Sequence, residues 1–132
     1  MEIDDFENIL ENHASTFRLI HNPPRDDVIP EECKLENGDV ISVGEHHDTS
    51  IMTLLANFDY TGLQVHDRVT GQWVDIVPKP HSLVVNVGIM LEKMVNGKLR
   101  STIHRVVDHG QERMSVPFFL EPGWNKELYG LP

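Results

Sequence analysis

Residues 81–122 read HSLVVNVGIMLEKMVNGKLRSTIHRVVDHGQERMSVPFFLEP, and they hold three short apolar runs divided by turn residues. SLVVNVG, KLRSTIHRVVD and RMSVPFFLEP have the length and the β-branched or aromatic content of strands. His109-Gly110-Gln111 is the turn between the last two. IMLEKM interrupts the pattern: Ile89, Met90 and Leu91 followed by Met94 and Val95 fit one short helical turn, ended by Asn96-Gly97. Upstream the same spacing continues through IMTLLAN, GLQVHD and QWVDIVP, with Val69-Thr70-Gly71 as a turn. Short strands at this density, with no long helix between them, predict an all-β sandwich or barrel.

Toward the N-terminus, Ile3, Phe6, Ile9 and Leu10 recur at helical spacing among acids, which predicts a short amphipathic helix from Ile3 to about Asn12. STFRLIHNPP reads as a strand halted by Pro23-Pro24. RDDVIPEECKLENGDV is polar, with a turn at Asn37-Gly38, and reads as loop or irregular hairpin. No repeat or low-complexity segment is present.

The 132 residues fit one domain, and 39% apolar with 24% charged content describes an ordinary globular chain. A net charge of -10 argues against sequence-independent nucleic-acid binding. Cys33 is the sole cysteine, so an intrachain disulfide is excluded and a reducing compartment is expected. The acidic start MEIDDFENIL does not read as a signal peptide, and no run approaches the roughly 20 apolar residues of a membrane helix. The expectation is a cytoplasmic protein with no membrane partner.

Chemistry concentrates in GEHHDTS, Gly44–Ser50. On an extended chain His46 and Asp48 share a face and His47 looks away. His104 shares its face with Thr102 and Val106 and is the best third ligand for one metal ion. Two histidines and a carboxylate on one side of an ion leave three positions open, the pattern of non-haem Fe(II) oxygenases. Zinc accepts similar ligands, but catalytic zinc usually keeps one open position. Nine residues on, Arg113 and Ser115 point the same way, and a guanidinium beside a hydroxyl suits a buried carboxylate. A small acid reaching from clamp to metal has the form of 2-oxoglutarate.

With these residues in place, the chain resembles the isopenicillin N synthase-like, plant-type group of 2-oxoglutarate/Fe(II)-dependent dioxygenases. The resemblance runs from about Phe17 to Pro122. It rests on GEHHDTSIMTLL (against G-x-H-T-D-x-G-x-x-T-L-L), GLQV, GQWVDIVPKP, VVNVGIMLEKMVNGKLRSTIHRVV and ERMSVPFFLEP. It implies a mainly β, double-stranded β-helix (jelly roll) with Fe(II) on His46, Asp48 and His104. It further implies 2-oxoglutarate on Arg113 and Ser115, dioxygen as oxidant, and a small organic substrate that is hydroxylated, desaturated or cyclised, with succinate and CO2 as co-products. A same-fold oxidase that does not use 2-oxoglutarate, and a non-catalytic jelly-roll module that binds metal or a partner, are the rival readings.

Departures from the family pattern are confined to other positions. Asn22 stands where Tyr usually precedes the proline, and with Asn86 it is a candidate for cosubstrate or pocket contact. Gly88-Ile89 replaces G-D, Pro80-His81 replaces P-G, and His47 replaces Thr. Relatives carry a long N-terminal region that this chain is expected to lack. Self-association, or a partner chain over the face so exposed, is the corresponding expectation. Asp75 and Glu92 read as surface acids, Trp73, Phe118 and Phe119 as core, and Cys33 as inert. His13, His21, His66 and His109 are expected to be solvated or hydrogen-bonded.

Overall fold

A computed structural model describes residues 3–25 and 27–130. Helix α1 (Ile3–Leu10) leads into β1 (Thr16–Phe17) and β2 (Ile20–Asn22), a 3-10 turn (Glu31–Cys33) and β3 (Val40–His46). Then come β4 (Met52–Ala56), β5 (Leu63–His66), β6 (Trp73–Asp75), β7 (Val84–Val87), α2 (Ile89–Met94), β8 (His104–Asp108) and β9 (Arg113–Leu120). The strands form two antiparallel sheets. One has the order β1-β9-β4-β7, with β2 also on β9, and the other the order β3-β8-β5-β6. Two packed antiparallel sheets are the all-β sandwich that the strand density predicted, in the jelly-roll form that the resemblance implied. No helix among the described residues is long and apolar enough to cross a membrane.

The expected strand STFRLIHN is split, and a residue far away splits it. Thr16 faces Phe119 and Ile20 faces Ser115, so β1 and β2 keep one register along β9. Between them Arg18 donates its N–H to the Pro117 carbonyl at 3.0 Å. The return bond would come from the nitrogen of Pro117, which carries no hydrogen, so the ladder breaks there.

Strand β3 also departs from simple alternation. Its register against β8 slips twice, between the pairs Ile41/Val107 and Val43/Val106 and again before His46/His104. These bulges change which side chains share a face. Val43 and His46 both line the space between the sheets, although three residues apart, and His46 comes to lie directly opposite His104.

Leu63, Val106 and Val107 are buried in the four-stranded sheet, and a second apolar cluster lies on the outer side of the five-stranded sheet. Ile51, Leu91 and Met94 are buried, and Phe6, Ile9, Leu10, Met52, Val87 and Leu120 pack on them. The helix expected to reach Asn12 ends at Leu10, with Asn12 in a left-handed conformation; the side chain of Ile3 and those of the first-turn acids Asp4 and Asp5 lie outside the described residues. Helix α2 is docked on the loop after Asp48: Ile89 N–H reaches the Asp48 carbonyl at 2.8 Å, and Gly88 N–H the Ile51 carbonyl at 3.0 Å. A Cβ on Gly88 would come within 1.8 Å of the Ser50 carbonyl oxygen, so only glycine permits this approach. At Pro80-His81 the larger side chain is accommodated in the left-handed region, at φ 56°, which histidine enters more readily than most residues.

Candidate active site

A cavity of about 260 Å³ opens between the two sheets. Strand register arranges its floor in rows. Phe119, Thr53 and Asn86 lie side by side across β9, β4 and β7, and Pro117, Leu55 and Val84 form the next row. Ser115 and then Arg113 follow along β9. Each row is about 6.8 Å from the next, two strand residues.

At the Thr53 end, His46, Asp48 and His104 bring their ligand atoms within 4.8 Å of one another. The Nε2 atoms of His46 and His104 are each 3.6 Å from Asp48 Oδ1. That is too long for a hydrogen bond. Both rings use Nδ1 as donor, His46 to the Gly44 carbonyl at 2.8 Å and His104 to the Thr102 carbonyl at 3.0 Å. In the neutral rings this leaves lone pairs on both Nε2 atoms, aimed at a carboxylate oxygen with no proton between them. Three acceptors facing one another repel unless a cation lies among them, so the donor set fits a metal ion.

Asp48 is 8% exposed, and its outer oxygen is fully engaged. Thr53 Oγ1 donates to Oδ2 at 2.6 Å, and Asn86 Nδ2 donates to the same atom at 2.8 Å. Oδ1 is thereby turned toward the histidines. Asn86, expected as a cosubstrate or pocket contact, lines the cavity but spends its amide on Asp48. Sequence reading missed Thr53. Its parity five residues after Asp48 gave no hint, because the contact depends on how the loop folds back over β4.

At the other end, Arg113 is bound only by neutral groups. Its NH1 donates to Ser115 Oγ and its NH2 to Asn57 Oδ1, both at 3.2 Å. Ser115 and Asn57 are 2% and 4% exposed. Burial draws the guanidinium below its ordinary value, and an arginine remains charged regardless. Arg113 Nε and Asn57 Nδ2 are buried without a partner. Each buried orphan donor costs roughly 1–3 kcal/mol, and a bound anion is the natural acceptor for Arg113, which lines the cavity. Asn57 is a second residue that sequence reading missed. Asn22 pairs in register with Arg113 and lines the same cavity.

Other expectations meet mixed outcomes. Glu92 is no surface acid: its side chain is 22% exposed and accepts from the hydroxyl and the N–H of Ser101 at 2.5 and 2.7 Å. These bonds, with Arg100 beside it, pull its carboxyl down to about 2. Ser101 Oγ also meets His47 Nδ1 at 2.9 Å, so His47 points away from the triad, as its parity required. Asp75 is exposed and accepts from Gln64. Trp73 is half-buried beneath Arg105, 4.1 Å from ring centroid to guanidinium carbon, rather than packed in a core. His66 closes β5 beside the Asp67–Gly71 turn, half-buried and edge-on to Trp73, with its Nδ1 buried and unpartnered. Phe119 lines the cavity, while His21 bonds Glu112 at 2.9 Å. Cys33 is free and exposed.

Fold and geometry together define a jelly-roll protein with a two-histidine, one-carboxylate cluster at one end of a pocket and an arginine at the other. The chain belongs to the 2OG-Fe(II) oxygenase superfamily, whose family model matches residues 13–122. It is 39% identical over 117 residues to the 2-oxoglutarate-Fe(II) type oxidoreductase hxnY of Emericella nidulans, covering 86% of this chain and 31% of that protein. A full-length Neurospora crassa protein, solved in complex with alpha-KG and thymine, has a TM-score of 0.84 at 29% identity; the match covers 100% of this chain and 40% of that one. A 2OG-Fe(II) oxygenase family protein of Caulobacter crescentus has a TM-score of 0.78 at 39% identity, covering 99% of this chain and 41% of that one. The chain spans about a third of the length of the curated relatives it matches.

Proposed function

We propose that this chain is the Fe(II)- and 2-oxoglutarate-binding core of an oxygenase that oxidises a small organic molecule. The carrying observation is the triad itself: two Nε2 lone pairs and Asp48 Oδ1 converge in one cavity, with Arg113 at its far end. His46, Asp48 and His104 would hold iron on one side and leave the cavity side open. Arg113 and Ser115 would take the distal carboxylate of 2-oxoglutarate. When bound, iron, 2-oxoglutarate and dioxygen supply oxidation of an unactivated C–H bond, with succinate and CO2 as co-products.

The chain's own residues bind, orient and exclude water. Thr53 and Asn86 fix which oxygen Asp48 presents. Asn57 and Ser115 hold the guanidinium plane so that a carboxylate meets it edge-on. The row Pro117, Leu55 and Val84 flanks the stretch between the two ends with apolar surface, suited to the methylenes of a dicarboxylic acid and unfavourable to water.

Anaerobic titration with Fe(II) and then 2-oxoglutarate tests this reading. The expected result is a weak visible charge-transfer band that His104→Ala abolishes and that Arg113→Ala shifts to much higher 2-oxoglutarate concentration. Truncating a buried charged partner typically costs 2–5 kcal/mol, so the second shift should be at least about 30-fold. Absence of any band in the native chain, with iron shown to be bound, would sink the proposal.

A further inference from the structure

The cavity contains a second arginine that the reading above leaves without a task. Arg18 follows β1, and in the shared register it falls on the same face as Ile20 and Asn22; all three line the cavity. Its backbone is tied to Pro117 by the N–H bond at 3.0 Å. Its guanidinium carbon stands 5.3 Å from the centre of the Phe119 ring. Phe119 is the immediate neighbour of Thr53, the residue that holds Asp48. Arg18 therefore belongs to the metal end, whereas Arg113 lies six residues along β9 from Phe119, about 20 Å of strand.

The charge balance makes this position notable. The chain carries 21 acidic against 11 basic residues, so carboxylates are plentiful. Arg25, Lys34, Arg100 and Lys126 each sit within 3.0 Å of one. Arg68 and Arg105 have no carboxylate but are taken up by the Ser101 carbonyl and by Gln64 and Trp73. Of the two arginines that line the cavity, Arg113 meets only Ser115 and Asn57, and the exposed side chain of Arg18 has no polar partner among the described residues, only an aromatic face. Two guanidinium groups without counter-charges, at opposite ends of one cavity with apolar walls between, fit two anions bound together.

We propose that Arg18 receives an anionic group of the substrate, so that the substrate class is a small organic acid with an apolar body. The inference rests on the proposed function, which assigns Arg113 to the cosubstrate and leaves Arg18 for the second ligand. Valine and leucine side chains supply the walls for the apolar body, Val43, Leu63 and Val65 from the four-stranded sheet and Val84 from β7. Phe119 offers its ring as a support for the guanidinium, whose N–H edges are left for a planar carboxylate to meet with two hydrogen bonds. The bland alternative is a surface stack on Phe119 with no ligand at all.

Benzoate and benzamide separate the two, since they share shape and differ in charge. Their binding is measured by ligand-observed NMR on the Zn(II)-loaded protein saturated with 2-oxoglutarate. The native chain should bind benzoate at least about tenfold more tightly than benzamide. Arg18→Gln should erase that preference while 2-oxoglutarate affinity stays unchanged, which also shows that the variant is folded. Arg18→Lys, which keeps the charge and loses the planar fork, should retain a weaker preference. Equal binding of the two probes to the native chain, or a preference that survives in Arg18→Gln, overturns the proposal. Failure of 2-oxoglutarate to load overturns the underlying function instead, and the probe pair still reports on Arg18 in that case.

Discussion

At one end of the cavity the buried carboxylate of Asp48 is held by Thr53 and Asn86, and at the other the buried guanidinium of Arg113 is held by Ser115 and Asn57. Among the described residues neither charge has a permanently charged partner, and each is oriented by uncharged groups. The two ends differ in how complete they are. Around Asp48 the outer oxygen has two donors and the inner one stands 3.6 Å from both histidine Nε2 atoms, so this end is arranged for a single cation. Around Arg113 the donors outnumber the acceptors, with Arg113 Nε and Asn57 Nδ2 unpaired. An end whose supports already satisfy one another can be rigid before it binds. An end with surplus donors is completed by its guest. Removing a support should therefore harm metal binding at the first end and anion binding at the second, with little exchange between them.

The largest effect is expected from the supports of Asp48. Ligand-orienting neighbours typically contribute 10- to 100-fold to metal affinity. Thr53→Val and Asn86→Ala should each weaken metal binding by roughly that factor, measured by competition with a chromophoric chelator. The two act on one oxygen, so the double variant should lose less than the product of the single losses. Metal affinity unchanged in both variants would mean that Asp48 needs no bracing, and the contrast between the ends would collapse.

Asn57 should give a smaller effect at the other end. Asn57→Ala removes the acceptor that holds Arg113 NH2 from behind the cavity wall. A net hydrogen bond of about 1 kcal/mol corresponds to a roughly fivefold loss. The expected result, by calorimetry on metal-loaded protein, is a roughly fivefold weaker 2-oxoglutarate affinity with metal affinity untouched. If metal affinity fell as much as 2-oxoglutarate affinity, the ends would be one cooperative unit rather than two.

These supports also mark where the sequence stops being informative. His46, Asp48, His104, Arg113 and Ser115 were legible because each pair or single residue obeys a local rule, the period-two alternation of a strand. Thr53 and Asn57 sit in IMTLLAN, where a polar residue on a strand face says nothing about what it meets. Thr53 meets Asp48 only because the loop between them folds back over β4, and Asn57 meets Arg113 from 56 positions away, relations that no local pattern carries. Pro117 breaks a strand a hundred residues upstream for the same reason. The bulges in β3 are likewise invisible locally, yet they bring Val43 to the cavity face alongside His46. Glu92 was misread because its partner Ser101 lies beyond a glycine turn, and nothing in LEKMVNGKLRS shows the chain doubling back.

Glu92 gives the smallest effect and sharpens the contrast from outside the cavity, because here the chain completes a charge by itself. The Ser101 hydroxyl, then the Ser101 N–H and Arg100, hold its carboxyl at about 2, against 4.5 when unperturbed. Between these values the unfolded chain binds the proton and the folded chain does not, so stability falls as pH falls. The contribution is whole above about pH 4.5 and is lost as the pH drops through about 2. Glu92→Gln keeps an acceptor for Ser101 and discards the charge. Urea midpoints of the native chain and this variant should differ most near neutral pH and draw together as the solution is acidified toward the limit of folding. A gap that stays constant over that range would mean that the hydrogen bonds hold Ser101 without help from the charge, and that even this internally completed acid owes its place to neutral contacts, as Asp48 does.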